Sequence, residues 1–388
     1  MRLFRWVAGA ASLGFLLACA SGASAQDGGS EEPEAGYDKG YFIHGVDGRF
    51  ALKTNTSLQV QARGLSLDAD DGRETRAAFL IRRGRLTLSG HALKPELHWK
   101  FQAGFDGGTV SLKDYYLDYE AVPGWLRLRA GQWKRPFSRQ QMVSGSRQEL
   151  VDRSITNNAF GAGRDIGVAV HNGTPDGFEY ALGLFNGTGD KAAVTGDVLV
   201  DPVTGEGEIT GVKIGNVPPV AHPALVLRLG YNHGGIKGYS EADLEGGPLR
   251  WALAGSGQVD FDADDDGVSN TKGELDFSLK VHGFSATGAY YGSTVQGSAD
   301  FTDQNYLASG FHVQAGYVIA DHYQPAVRFA QVARDGADND EREVAGAFSI
   351  YFFKHSLKWQ TDVAVVTLEG PAADRDDVQV RTQLQLAL

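Results

Sequence analysis

The sequence predicts an all-β protein, a transmembrane antiparallel β-barrel of about 16 strands, and three observations lead to this fold class. Apolar and polar residues alternate with a period of two through most of the chain, for example over 97–105 and 357–365. The alternating segments run for about 8 to 12 residues, longer than strands of soluble sheets and close to the length of a tilted membrane strand. The composition, with 51 Gly, 20 Phe and 14 Tyr against 12 Pro, is typical of strands and turns.

Several other classes of protein are excluded by the composition. A single Cys cannot form a disulfide framework or a Cys/His zinc site. After residue 25 the chain has no run of about 18 to 20 apolar residues that would predict a membrane-spanning helix. The net charge is 36 − 48 = −12, which argues against nucleic acid as a partner.

Residues 1–25 have the features of a secretory signal peptide. Arg2 and Arg5 form a positive head, an apolar run follows over 6–20, and residues 23–25 fit the small-x-small cleavage rule. A competing interpretation is a lipid attachment site at Cys19, which follows the lipobox-like Leu-Leu-Ala. The predicted organisation is therefore a signal peptide at 1–25, a flexible acidic segment at 26–49 and the barrel at 50–388.

The predicted strands number 16, and an even number lets a closed barrel keep both termini in the periplasm. The links between odd and even strands are mostly long and acidic, whereas those between even and odd strands are mostly short. This is the pattern of outer loops and periplasmic turns. The least clear registers are at 207–214 and 233–272. The predicted strands are 50–66, 77–90, 96–106, 110–121, 125–134, 165–172, 178–186, 207–214, 223–232, 273–281, 284–293, 308–319, 324–333, 343–353, 357–368 and 377–388.

Several motifs follow one another along the chain, among them RRGRL at 82–86, LKDYYLDY at 112–119, GQWKRPFS at 131–138 and GRDIG at 163–167. Together they resemble the phosphate-selective porin O/P family. The resemblance implies a 16-stranded, usually trimeric anion channel in the outer membrane of a Gram-negative bacterium, with its long third loop folded into the pore. It also implies outer-membrane lipid, lipopolysaccharide and small anions as partners. The chain departs from this pattern in ending at Leu388 instead of Phe and in its strong acidity.

Sorting the charges by strand face makes the predicted lumen basic. With the polar phase of each strand facing inward, ten basic strand residues, Lys280 among them, stand against five acidic ones, and the third loop adds Arg153. A ring of Arg or Lys in a narrow passage favours anions. The alternative is that these cations pair with carboxylates such as Asp114, Asp118 and Asp362 and only keep the lumen wet. The predicted pore-lining and anion-binding residues are Arg83, Arg85, Lys100, Arg127, Arg129, Arg153, Arg228, Arg328, Lys358 and Arg381.

One motif suggests a metal. Asp262, Asp264 and Asp266, followed by Gly267, have the D-x-D-x-D-G start of a calcium loop, and alternating carboxylates suit a hard cation. The pattern is incomplete, because the twelfth position is Gly273 and not Glu. The interpretation is either a weak calcium site in an outer loop or a solvated acidic loop; no other cofactor is predicted.

The predicted function is an outer-membrane porin for passive diffusion of small solutes, with a preference for anions that includes phosphate-like ones. No G-x-S-x-G, H-E-x-x-H or Walker sequence supports catalysis. The alternatives are a non-conducting structural or adhesin barrel and an outer-membrane hydrolase.

Overall fold

The structure is a computed structural model, and it describes residues 33–69, 72–187, 189, 193–200, 207–215, 222–261, 269–295, 306–335, 339–370 and 374–388. Within these residues there are twenty strands and two short α-helices, α1 at Arg139–Met142 and α2 at Ile155–Phe160. None of the described helices has the length and apolar character needed to cross a membrane. The strands are β1 Glu34–Tyr37, β2 Tyr41–His44, β3 Ala51–Ala69, β4 Gly72–Ala92, β5 Lys94–Gly104, β6 Ser111–Val122, β7 Leu126–Lys134, β8 Arg164–His171, β9 Gly177–Phe185, β10 Ala193–Val200, β11 Gly207–Gly215, β12 Ala224–His233, β13 Arg250–Asp260, β14 Asn270–Val281, β15 Phe284–Val295, β16 Tyr306–Tyr317, β17 Tyr323–Arg334, β18 Glu341–Phe353, β19 Leu357–Leu368 and β20 Arg375–Ala387.

Sixteen of these strands, β3–β9 and β12–β20, form one closed antiparallel barrel, which confirms the predicted fold class. The barrel closes where β20 pairs with β3, with Ala387 opposite Ser57. Backbone hydrogen bonds between Thr56 and Leu388, of 2.8 and 3.0 Å, extend this pairing to the last residue. Within the described residues, closure gives each of the sixteen barrel strands a partner on both sides, which lipid requires because it cannot hydrogen bond to a free backbone.

Alternation along each strand separates the two faces of the barrel wall. On β19, Lys358 and Asp362 are buried at 0% and 1% exposure, whereas Val363 is 47% exposed. The polar residues of one phase therefore face the lumen, and the apolar residues of the other phase face the membrane. This arrangement removes the cost of placing charge against hydrocarbon.

The strand count of 16 was predicted correctly, but one of the sixteen predicted strands is wrong and one was missed. Residues 207–214 belong to β11, which within the described residues pairs with β10 in a separate two-stranded sheet. In sequence this sheet lies between β9 and β12. The missed barrel strand is β13, which pairs with β12 and β14. Its alternation is weak because small residues such as Ala252, Ser256 and Gly257 occupy both phases.

This correction changes the end of the barrel at which the links within 233–272 lie. Residues 234–249 now connect β12 to β13 at the end of the barrel where both termini lie, which is the periplasmic end of such barrels. Residues 261–269 connect β13 to β14 at the opposite, outer end. The predicted single outer link is therefore two links on opposite sides.

The prediction of a flexible segment at 26–49 is wrong for its second half. β1 and β2 form a hairpin, and β2 continues the barrel sheet by pairing with the start of β3, with Tyr41 opposite Thr54. The acidic average of the segment obscures its strand-forming residues, Tyr41, Phe42 and Ile43. The signal peptide and Cys19 lie outside the described residues.

The long link 135–163 between β7 and β8 contacts the lumen-facing side of the opposite wall. Phe137 and Phe160 are buried at 0% and 2% exposure, and the ring of Phe160 stacks on Tyr291 of β15 with centroids 5.1 Å apart. Helix α2 packs against β15–β18. The apolar core of the protein therefore sits inside the barrel, between this loop and the strands that support it.

Candidate functional site

An open cavity of about 490 Å³ lies between loop 135–163 and the wall formed by β3–β9 and β12. Its lining is strongly basic, with eight Arg or Lys side chains against two carboxylates. Six of the ten residues predicted to line the pore are among them. The charged lining residues are Arg83, Arg85, Lys100, Arg129, Lys134, Arg153, Arg164, Arg228, Asp114 and Glu179.

A second cavity of about 740 Å³ continues from the first toward the periplasmic end. The first cavity is called the upper cavity below, and the second is called the lower cavity. The two share Lys100, Tyr116 and Arg129 in their linings, so they are neighbouring parts of one space. Arg127, the seventh predicted lining residue, lies in the second cavity. The N-terminal hairpin contributes Phe42 to the lower wall.

A β-bulge in β4 determines which arginines face the lumen. Gln59 of β3 pairs with Arg83, but the next residue of β3 pairs with Ile81, which leaves Arg82 as the extra residue. The bulge resets the alternation, because one extra residue exchanges the two faces of a strand. Phe79 and Ile81 therefore face outward before the bulge, and Arg83 faces inward after it.

The bulge directs both Arg82 and Arg83 toward one carboxylate on the loop. Asp152 accepts from Arg82 Nη2 at 2.7 Å and from Arg83 Nη2 at 3.1 Å. Burial opposes the ionisation of Asp152, but the two guanidinium groups outweigh it and hold the pKa of that carboxyl below its usual range. Two cations thus share one anion, and the cluster retains one excess positive charge.

Asp114 of β6 is shared in the same way. It accepts from Lys100 Nζ and from Arg164 Nε, both at 2.7 Å. Asp106 is shared between Arg85, which donates a short hydrogen bond to it, and Lys113, whose Nζ is 3.9 Å away. Each of these clusters also has one cation more than it has carboxylates.

Carboxylates neutralise the cations of the second cavity more fully than those of the first. Asp118 of β6 accepts from Arg127 Nε at 3.2 Å and from Arg129, and the His171 ring lies 3.4 Å from the same carboxylate. Glu120 adds a further carboxylate 4.0 Å from Arg127. Arg129 also stacks over the Tyr116 ring at 4.3 Å. The lower cavity is therefore less basic than the upper one.

Lys134 and Arg153 hold the wall of the loop that faces the cavity. Lys134 Nζ donates to the carbonyl oxygens of Gln141, Met142 and Val143 at 2.6 to 3.2 Å. Arg153 donates to carbonyls of the same stretch, including Val143 O at 2.8 Å. These two cations interact with the C-terminal end of α1, where carbonyl dipoles favour positive charge. Carbonyl groups do not cancel a full charge, so the Arg153 guanidinium also contributes to the field in the cavity.

Arg228 lines the upper cavity but lies among acids. Its Nη1 donates to Asp276 at 2.7 Å and is 3.7 Å from Glu274, and its Nε is 3.6 Å from Glu179. Arg139 of the loop also pairs with Asp276. With three carboxylates to two cations, this part of the wall adds no positive field.

Three predicted lining residues, Arg328, Lys358 and Arg381, line neither cavity, and this is a correction to the prediction. They lie against the loop, and their side chains pair with its backbone or with carboxylates of the wall. Lys358 Nζ donates to Gln148 O at 2.9 Å, and Arg328 Nη1 donates to Asp152 O at 2.9 Å. Arg381 Nε donates to Asp362 at 2.7 Å.

Two contributors to the site were missed by the sequence reasoning. Lys134 lies within the GQWKRPFS motif and, as the only lysine of that motif, could have been noted there. Tyr239, on the segment 234–249, reaches the upper cavity and donates a short hydrogen bond to Glu179. No sequence pattern indicates Tyr239, because its segment lies in the link 233–272, which the sequence predicts to be an outer loop.

The predicted calcium site at Asp262, Asp264 and Asp266 lies outside the described residues. Over the part of the chain that the structure describes, no three His, Cys, Asp or Glu side chains come together as a metal-binding group.

Comparison with known proteins bears on these cavities. Residues 53–229 match the family model of phosphate-selective porin O and P. Over this segment the chain is similar to that porin family. The segment spans β3 to β12 and therefore holds the bulge and most of the basic lining residues described above.

Similar proteins extend the comparison over the whole barrel. The anion-selective porin from Comamonas acidovorans aligns with a TM-score of 0.56 at 11% identity, covering 87% of this chain and 99% of the porin. The outer-membrane channel DcaP of Acinetobacter baumannii aligns with a TM-score of 0.59 at 14% identity, covering 87% and 97%. An uncharacterized protein of Aquifex aeolicus is 23% identical over 354 residues, covering 81% of each chain. The partial family match and these similar barrels support an outer-membrane channel of the porin type in a Gram-negative bacterium rather than an enzyme.

Proposed function

We propose that this porin allows passive diffusion of small anions, including phosphate-like anions, in preference to cations. The observation that carries the proposal is that cations lining the upper cavity share their carboxylate partners with other cations. Asp114, Asp152 and Asp106 are each shared between two cations. The pairing expected under the alternative interpretation is therefore present but incomplete, and an excess positive charge remains in a confined space.

The acidic total of the chain does not oppose this proposal. Ions in a pore respond to charges within about 10 Å at 0.1 M salt, because more distant charges are screened. Arg side chains also suit phosphate-like anions, since the guanidinium presents several donors in one plane. The name of the Comamonas porin and that of the matched family are consistent with an anion preference.

The test is the reversal potential of the purified protein in a planar bilayer under a KCl gradient. An anion channel gives a potential of the sign set by chloride, and added phosphate should reduce the chloride current by competing for the cavity. A reversal potential of the sign expected for a potassium-selective channel would refute the anion preference. Absence of any current from correctly folded barrels would refute the channel and favour a structural barrel.

Assembly as a homotrimer is a further part of the proposal, and it rests on the family resemblance. Native mass spectrometry of the protein in mild detergent should show three copies. A monomer under conditions that preserve the folded barrel would contradict it.

A further inference from the structure

Two segments that are not strands meet inside the barrel. Loop 135–163 comes from the outer end, and segment 234–249 comes from the periplasmic end. Glu241 N donates to Arg147 O at 3.1 Å, and Glu149 N donates to the Glu241 carboxylate at 2.8 Å. The periplasmic segment therefore braces the loop that forms one wall of the upper cavity.

The carboxylates at this junction are buried and have only neutral donors. Glu149 and Glu241 are 0% and 4% exposed. The amide of Gln314 donates to both, at 3.3 and 2.9 Å, and Glu149 also accepts from Ser285 Oγ and from Gln324 Nε2. Among the described residues, neither carboxylate has a cationic nitrogen within 4.0 Å. Two buried like charges without an ion pair are costly, and protonation of one of them removes that cost.

The surrounding cations do not neutralise the Glu149 and Glu241 carboxylates. Lys358 and Lys280 are the nearest cations on the wall, but each donates to a backbone carbonyl, Gln148 O and Lys237 O respectively. Burial, together with the nearby Glu241 carboxylate, raises the pKa of Glu149 to about 7. The charged and titratable groups that face the pair are Lys280 of β14, His312 of β16, Lys358 of β19, Tyr351 of β18, His355 of the 354–356 turn, and Arg139, Arg147 and Arg153 of the loop.

We propose that Glu149 and Glu241 form a proton-controlled link between loop 135–163 and segment 234–249, which makes the position of the loop depend on pH. The proposal rests on the proposed channel function. When both carboxylates are ionised they repel each other, and the loop is held less firmly against its brace. When Glu149 is protonated, the repulsion is absent and its hydroxyl becomes a donor to a neighbouring oxygen, so the loop is held in place.

The test compares open-channel current fluctuations in planar bilayers at pH 6 and pH 8. With a pKa of about 7, the protonated fraction of Glu149 rises from about one tenth at pH 8 to about nine tenths at pH 6. Current fluctuations should therefore be smaller at pH 6. Glu149→Gln should show small fluctuations at both pH values, and Glu241→Gln should do the same if Glu149→Gln does not fold. Glu245→Gln is the matched control, because Glu245 lies on the same segment but pairs with Lys237 and Arg250.

A wild-type channel with equal fluctuations at both pH values would overturn the link, and so would a pH dependence that survives in both Gln variants. Infrared spectroscopy of the purified barrel separates this failure from failure of the channel function. The wild type minus Glu149→Gln difference spectrum should show the carbonyl band of a protonated carboxylic acid at pH 6 and only weakly at pH 8, which separates Glu149 from other buried carboxyl groups such as Glu274. If the protein carries no current, the band still supports the link, and its absence at pH 6 overturns it.

Discussion

The charge of Asp114 gives the sharpest test of the shared-carboxylate mechanism. Asp114 lies in the upper cavity between Lys100 and Arg164, 2.7 Å from each. Asp114→Asn keeps the size of the side chain but removes its negative charge. The local excess of positive charge therefore rises by one elementary charge. Lys100→Gln removes one cation and lowers the excess by the same amount. The double variant restores the original net charge.

The magnitude follows from Coulomb's law. A charge about 5 Å from a passing ion changes its energy by about 1 kcal/mol at the dielectric constant of water, which corresponds to about a fivefold change in ion occupancy. The ratio of chloride to potassium permeability should therefore rise several-fold in Asp114→Asn and fall several-fold in Lys100→Gln. The double variant should return close to wild type.

The assay is the reversal potential in a KCl gradient at or below about 0.1 M salt, where screening is weakest. Asp321→Asn is the control, because it makes the same charge change on an exposed turn. Heat-modifiable mobility on gels checks that each barrel is folded. Folded single variants whose permeability ratios equal that of wild type would refute the mechanism while leaving the barrel fold intact.

Three further predictions follow from the packing and from the sequence. Asp152→Asn leaves two arginines partly buried without their carboxylate and should lower the free energy of unfolding by about 2 to 3 kcal/mol, measured by urea titration in detergent. Gly131→Val should prevent correct pairing of β6 and β7, since a Cβ there would lie 2.2 Å from a backbone oxygen; normal yields of heat-modifiable barrel would contradict this. Calcium should raise the melting temperature of the unmutated protein but not of the variant with Asp262, Asp264 and Asp266 replaced by Asn; identical curves with calcium and chelator would exclude that site.

Most of the fold could be predicted because the alternation of a membrane strand is imposed on every residue of it. Each position must suit either lipid or the lumen, so strands such as β5 and β19 have strong period-two patterns. Strand β13 is not predicted for the same reason, because its residues lack this alternation. Ala252, Ser256 and Gly257 are small enough to be tolerated on either face, which removes the contrast on which the pattern depends.

The candidate site was predictable only in part. The basic residues of β4 to β7 were placed in the lumen, because the polar phase of a barrel strand faces inward. Their partners were less accessible to sequence reasoning. Asp152 is about 70 residues from Arg82 and Arg83, and only the folding of loop 135–163 brings them together. The contact between Glu149 and Glu241 likewise joins two links on opposite sides of the membrane.

Loop 135–163 decides which inward charges meet solute. Inward polar side chains on every strand of such a barrel have the same appearance in sequence, yet they serve two purposes here. On β4–β8 they face water-filled space, whereas on β17–β20 residues such as Lys358 and Arg328 bind the backbone of the loop. A loop that crosses the lumen has unpaired backbone groups, and each must find a partner once water is excluded. The cations beneath the loop therefore hold it against the wall, and those facing its other surface remain to attract anions.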